Sequence, residues 1–245
     1  MNLSGKRVLV TGATSGIGLA TARHLVQLGA EVWALGRNEQ KLAALETAGL
    51  GGGKAIAFDM LEFAAYRTFI EQLPAVDAIV HSAGVVENNP LKFFSLEKYN
   101  KIIGTNQTAP LLLTAEMVRA AKINKGGSVV FLASITGTRI GMKGIAAYAA
   151  SKSALIGMAK VMALELAPKL VRVNCVSPGM VNTELVANAS YLSEDAKKAD
   201  MMKYPMGGRY AEPREIADVI AFLISDYSSF MTGENLTVDG GYCIQ

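Results

Sequence analysis

A chain of 245 residues, 51% hydrophobic and 18% charged, has enough apolar material for a large core and too little charge for a disordered or heavily solvated segment. Its net charge of +3 comes from basic and acidic residues scattered without runs, which argues against nucleic acid as a partner. Cys175 and Cys243 stand far apart with no CxxC or Cys/His cluster, so neither a metal site nor a disulfide framework is implied, and a reducing compartment, the cytoplasm, is expected.

The first run, "RVLVTG", reads as a strand. Lys6 and Arg7 are followed by only three apolar residues before Thr11 and Gly12, too few for a signal-peptide core. A helical pattern covers 16–29, then come "EVWAL" and 38–47, "KAIAF" and 62–72, "DAIVHS" and a helix from about 95 to 121. "SVVFLAS", a helix over 147–167, "VRVNCVS", a helix over 213–225 and "NLTVDGG" complete the series. This alternation predicts an α/β chain of βαβ units, a doubly wound parallel sheet with helices on both faces, as one domain over 1–245. No apolar stretch reaches the roughly 18 residues that a membrane helix needs. Pro168 stops the helix over 147–167, and Pro213 suits a first helical turn, where its missing N–H is harmless. The segment 182–210 breaks the alternation and reads as a small helical lid, placed after a strand where ligands collect.

"TGATSGIG", 11–18, joins the first strand to the first helix. Gly12 permits a tight turn, Gly16 lets backbone approach a pyrophosphate and Gly18 lets the helix pack closely, while free N–H groups at the helix start face the anion. The next strand ends at Gly36, where an NAD-binding chain would carry an acid for the ribose, and Arg37 follows. A guanidinium suits a 2′-phosphate, so NADP(H) is favoured over NAD(H).

"YAASK" sets Tyr148 and Lys152 four apart, on one face of a helix. A phenol with pKa near ~10 is a poor proton carrier at neutrality, and a nearby cation that lowers it by ~2 units supplies roughly 2.7 kcal/mol. The spacing alone is common on helix surfaces. Ser134, at the end of "SVVFLAS", adds a hydroxyl able to donate to a carbonyl. Asn106 lies four residues before Pro110, whose missing N–H frees the Asn106 main-chain carbonyl and should kink the helix.

With these motifs, Asp59 after the third strand, "HSAG" at 81–84, "NCVSPGMVNT" at 174–183 and "TGENLTVDGG" at 232–241, the chain resembles the short-chain dehydrogenase/reductase family across residues 5–243. The resemblance implies a Rossmann fold in which Tyr148 is the general acid, Lys152 lowers its pKa and holds the nicotinamide ribose, and Ser134 polarises the substrate oxygen. Asn106 would position a water in a proton relay. Thr14, Ser15, Ile17, Asp59, Met60, Ser82, Ala83 and Gly84 would join the glycines around the cofactor, and Pro178, Gly179, Val181 and Thr183 would flank the nicotinamide. The chain departs from the family pattern at three points. His81 and Ser82 replace two asparagines, Ser15 stands where many NADP-preferring members are basic, and Ser134 lies fourteen residues before Tyr148, at the long end of family spacing.

Val85, Val86, Ile140, Met142, Met180, Val186, Tyr191 and Leu192 are expected at an apolar substrate mouth, with Glu87, Asn88 or Arg139 as a polar handle. Met201, Met202 and Met206 are as consistent with lid packing. The expected reaction is hydride transfer between nicotinamide and a ketone or secondary alcohol. A 3-oxoacyl-thioester reductase is the alternative, with Arg119, Lys122, Lys125, Arg139 and Lys143 available to an acidic carrier protein. A sugar-nucleotide epimerase fits less well for want of a longer C-terminal region, and a nonredox NADP sensor is a remote reading. The resemblance also implies a homotetramer or homodimer, with helices around 96–121 and 147–167 at one interface and the C-terminal strand region at another.

Overall fold

The structure, a computed structural model, describes residues 1–187 and 194–244. Seven strands form one parallel sheet: β1 (Arg7–Thr11), β2 (Glu31–Gly36), β3 (Ala55–Ala57), β4 (Val76–His81), β5 (Ile123–Leu132), β6 (Arg172–Pro178) and β7 (Asn235–Val238). Their spatial order is β3-β2-β1-β4-β5-β6-β7, so the chain winds outward one way from β1 and then, from β4, the other. The reversal leaves a crevice at the carboxyl ends of β1 and β4, the place where open α/β sheets take ligands.

Central strands are apolar on both faces because both are covered. Leu9 points into one core, with Tyr66, Phe69 and Ile70 of α3 (Tyr66–Glu71), Leu113 and Met117 of α5 (Ala109–Arg119), and Leu155 and Ala159 of α6 (Ala146–Leu166). Its neighbours Val8 and Val10 point into the other, with Ala22 and Leu25 of α1 (Gly16–Gln27) and Ile216 and Ile220 of α9 (Pro213–Ile224). The period of two along β1 thus separates the two helical layers.

Boundaries follow the local chemistry. The helix expected over 95–121 is α4 (Leu96–Ile103), a π-helical turn (Gly104–Thr108) and α5, with the Ala109 N–H donating to the Gly104 carbonyl five residues back. The break falls where Pro110 removes an N–H, as its position requires, and the wide turn absorbs the shift. Pro168 lies in the 3-10 turn after α6, and Pro213 opens α9 behind a Glu212/Glu215 capping box. Within 182–210 the described elements are α7 (Glu184–Ala187) and α8 (Glu194–Met201); Tyr191 and Leu192 lie outside the described residues. Among the described residues no helix is long and apolar enough to cross a membrane.

Candidate active site

The glycine turn is built by contact with β4. Gly12 has φ +67, and a Cβ there would stand 2.7 Å from the Ala83 Cα, while one at Gly18 would stand 2.2 Å from the Gly12 carbonyl oxygen. The Thr11 hydroxyl oxygen accepts the N–H groups of Ser82 and Ala83, both at 3.1 Å, and locks the two strand ends together. Ser15, at the N-cap of α1, makes no side-chain cap, and no acid occupies the first turn, so the helix start keeps N–H donors for an anion. At the end of β2, a Cβ on Gly36 would lie 2.4 Å from the Thr14 methyl carbon, so an acidic side chain there would displace the turn. Arg37, 63% exposed, sets its Nη1 4.0 Å from Asp59 Oδ2.

A cavity of about 260 Å³ runs from Arg37 past the turn to Tyr148, Lys152 and Thr183. Of the residues expected around a cofactor, Pro178, Gly179 and Val181 stand apart from its lining and Gly12, Thr14, Ser15, Gly16, Ile17, Gly18, Arg37, Asp59, Met60, Ser82, Ala83, Gly84, Tyr148, Lys152 and Thr183 all border it. Glycines that any Cβ would fill, a free helix start and a guanidinium at the far end fit a dinucleotide with its phosphates at the turn.

Tyr148 and Lys152 occupy the start of α6. Lys152 is 4% exposed, its Nζ donates to the Leu132 carbonyl at 2.6 Å, and it lies 5.7 Å from the centre of the Tyr148 ring. Burial pushes its pKa down to about 8. A Cβ on Gly84 would stand 3.4 Å from both the Lys152 Nζ and the Asn106 Oδ1, so these two side chains converge beside Gly84. Asn106 itself is fully buried and borders neither cavity. Its Oδ1 accepts the Val85 N–H at 2.8 Å, and its Nδ2 donates to the Val85 carbonyl at 2.8 Å and the Ser151 hydroxyl at 3.1 Å. Its amide therefore ties the π turn to the chain leaving β4 and to α6.

A second cavity, about 740 Å³, meets the first at Ile17, Val86, Leu132, Tyr148, Lys152 and Thr183. Ser134 lines it, and so do Pro178, Gly179 and Val181. The Ser134 oxygen accepts the Thr136 N–H at 3.1 Å, which leaves its own proton to donate. Val86, Ile140, Met142, Met180 and Val186 line this space as expected, whereas Val85 borders only the first cavity.

Other expectations need correction. Glu87 turns away to pair with Lys101, Asn88 packs against Gly144, and Arg139 is absent from the lining while Lys143 is present. Met201, Met202 and Met206 lie outside the lining, which agrees with the lid-packing alternative for them. The five basic residues considered for a carrier do not share a surface. Arg119, Lys122 and Lys125 sit at the amino end of β5, and Arg139 and Lys143 follow its carboxyl end, about 20 Å away at ~3.3 Å per step along the paired β4 from Val76 to His81 and on to Leu132. Arg119 moreover pairs with Glu116, and Lys122 donates to the carbonyls of Glu71 and Leu73.

Sequence reasoning missed Leu132, whose carbonyl holds Lys152, and Tyr204, Tyr242, Asp200 and Lys203 along the second cavity. Leu132 ends the same strand that delivers Ser134, and Tyr242 follows the carboxyl end of β7, positions that could have flagged both. His81, read as structural, is buried and stacked on Phe131 at 4.7 Å. Its Nε2 lies 2.8 Å from the Thr114 hydroxyl, which donates to the Pro110 carbonyl, so the imidazole supplies the proton of that contact. Burial pushes its pKa down to about 3 and keeps it neutral.

Residues 12–243 match the family model described as enoyl-(acyl carrier protein) reductase. The chain is 36% identical to a Vibrio harveyi protein, 3-oxoacyl-[acyl-carrier-protein] reductase FabG, and 35% identical to the Escherichia coli K12 protein of the same name, with 98% of each chain covered in both pairs. Among solved structures, a short chain dehydrogenase/reductase family protein superposes with a TM-score of 0.86 at 32% identity, covering 99% of both chains. A putative NAD(P) dependent gluconate 5-dehydrogenase from Beutenbergia cavernae, with bound NADP at low occupancy, superposes with a TM-score of 0.89 at 30% identity over 100% of this chain and 99% of that one. Likeness on this scale, over a chain whose glycine turn, strand ends and Tyr148/Lys152 helix surround one cleft, makes this protein a member of the short-chain dehydrogenase/reductase family, an oxidoreductase that works with a nicotinamide cofactor on a small-molecule substrate.

Proposed function

We propose that the protein is an NADP(H)-dependent oxidoreductase acting on a ketone or secondary alcohol, with Ser134, Tyr148, Lys152 and Asn106 as its chemical machinery. The observation that carries this reading is the position of Lys152. Its buried ammonium sits where the two cavities meet, beside the Tyr148 ring and within reach of the Asn106/Gly84 corner. A cation so placed favours the phenolate and makes the Tyr148 hydroxyl a usable acid near neutrality. Ser134 would donate its free proton to the carbonyl oxygen, and Tyr148 would deliver a proton to that oxygen as it gains charge. The nicotinamide, when bound, supplies or takes the hydride. Pro178, Gly179, Val181 and Thr183 would form the wall between the two spaces, and Asn106 would act by fixing the Val85 backbone and offering its own main-chain carbonyl.

Preference for NADP(H) rests on Arg37 and on Gly36, whose contact with Thr14 leaves no room for a ribose-binding acid. The reading includes one domain over the whole chain, a lid around 182–210, a cytoplasmic location and assembly as a homotetramer. A 3-oxoacyl-thioester reductase is the second reading, favoured by the 740 Å³ apolar space, larger than a small ketone requires, and by the names of the FabG relatives. A panel of ketones, 3-oxoacyl thioesters and secondary alcohols, run with NADPH and NADH side by side, tests both. Turnover with NADPH at least about tenfold more efficient than with NADH is expected, a difference of ~1.4 kcal/mol. A preference for NADH would refute the role given to Arg37.

A further inference from the structure

The first turn of α2 (Glu39–Thr47) begins two residues after Arg37, and Asn38 caps it by accepting the Lys41 N–H at 2.9 Å. That cap fixes the backbone from which the Lys41 side chain springs. Its Nζ reaches Glu184 Oε2 at 3.0 Å, a partner 143 positions away in sequence. Glu184 follows Thr183, opens α7 and borders the same cavity as Arg37. Lys41 stands outside the lining of that cavity, and the pair joins the first turn of α2, just after Arg37, to the cleft edge at the beginning of the lid. The Glu184 carboxylate lies at the edge of the space where a cofactor phosphate would enter.

We propose that Lys41 is a second cation for the 2′-phosphate of NADP(H), and that Glu184 is an internal anion holding it until the phosphate takes its place. This rests on the NADP(H) reading of Arg37. Both side chains are substantially exposed, so their ion pair is weak and easily exchanged. A phosphate brings up to two negative charges and three acceptor oxygens, and it outcompetes one carboxylate for an ammonium. While Glu184 remains at the cleft edge its charge also opposes the incoming anion. The exchange thus relieves one repulsion, adds one attraction and releases the first turn of the lid from α2.

The test is isothermal titration of the full-length protein with NADP+ and, separately, NAD+. Lys41→Ala is expected to weaken NADP+ about tenfold, the ~1.4 kcal/mol of a lost charge-assisted contact, and to leave NAD+ within about twofold. Glu184→Gln is expected to tighten NADP+ roughly threefold, again without change for NAD+, and that gain should vanish when Lys41→Ala is added. Equal effects of Lys41→Ala on both cofactors, or none on NADP+, would overturn the proposal. An Arg37→Ala arm separates the two layers of inference. If Arg37→Ala abolishes NADP+ preference and Lys41→Ala does not touch it, Lys41 alone is misassigned. If the unmodified protein shows no preference for NADP+, the reading of Arg37 falls and this proposal with it.

Discussion

The Lys152 ammonium is held where water is scarce, with the Leu132 carbonyl as its one hydrogen-bond acceptor among the contacts described. A fall in pKa from 10.5 to about 8 corresponds to about 3 kcal/mol opposing the charged form. The sign of the linkage is fixed. Between pH 8 and 10.5 the unfolded chain holds a proton at this lysine that the folded protein has lost, so its contribution to stability rises with pH across that window. Compared with Lys152→Met, the unmodified protein should therefore gain up to about 3 kcal/mol of relative stability from pH 8 to 10.5, seen as a changing gap in Tm. A gap that stays constant over this range would mean that the lysine is not strained in its site. The protein tolerates this burial at neutral pH because the charge is needed beside Tyr148 in the proposed reaction, which places function and stability in opposition at one atom.

Elements show the same opposition on their surfaces. Along α6, Val161 and Leu164 lie three residues apart on the outward face, and Leu164 is 79% exposed; Leu111 on α5 is also open to solvent. Phe230 and Ile244 near the C-terminus add a second exposed apolar group. A helix that is apolar on its outer face as well as its inner one is made to be covered, here by further copies of the chain in the proposed tetramer. The mass in solution should then be four times the 25.9 kDa of one chain, and Leu164→Arg should reduce it to half or less. A monomeric unmodified protein, or an unchanged mass for Leu164→Arg, would contradict the assignment of this face. The helix break at Asn106 was legible because proline chemistry is local, and so was the glycine turn. The bulged opening of β5, where the register shifts between Val76 and Ala78, was not, since "INKGG" shows neither alternation nor a continuous apolar run.

Across the whole molecule, the parallel sheet and its cleft could be read from alternation and motif order because each strand and helix carries its own periodicity. Contacts between distant segments could not. Nothing local to Lys41 announces Glu184, and nothing in "MVRAAKINK" places it at the opposite end of β5 from Arg139 and Lys143, so charges counted together in sequence fell on separate surfaces. The resemblance carried residue roles that spacing alone left open, and the geometry supplies what a motif lacks: a buried cation at the junction of two cavities, with Ser134 facing one and the glycine turn facing the other. The central claim is that Tyr148 is the acid at this junction. Turnover and NADPH affinity of Tyr148→Phe test it most directly. The account predicts a loss of at least roughly a hundredfold in turnover, within the range of general acid catalysis, with NADPH affinity kept within a few-fold. Retention of more than about a tenth of the activity, against that same expectation, would contradict it.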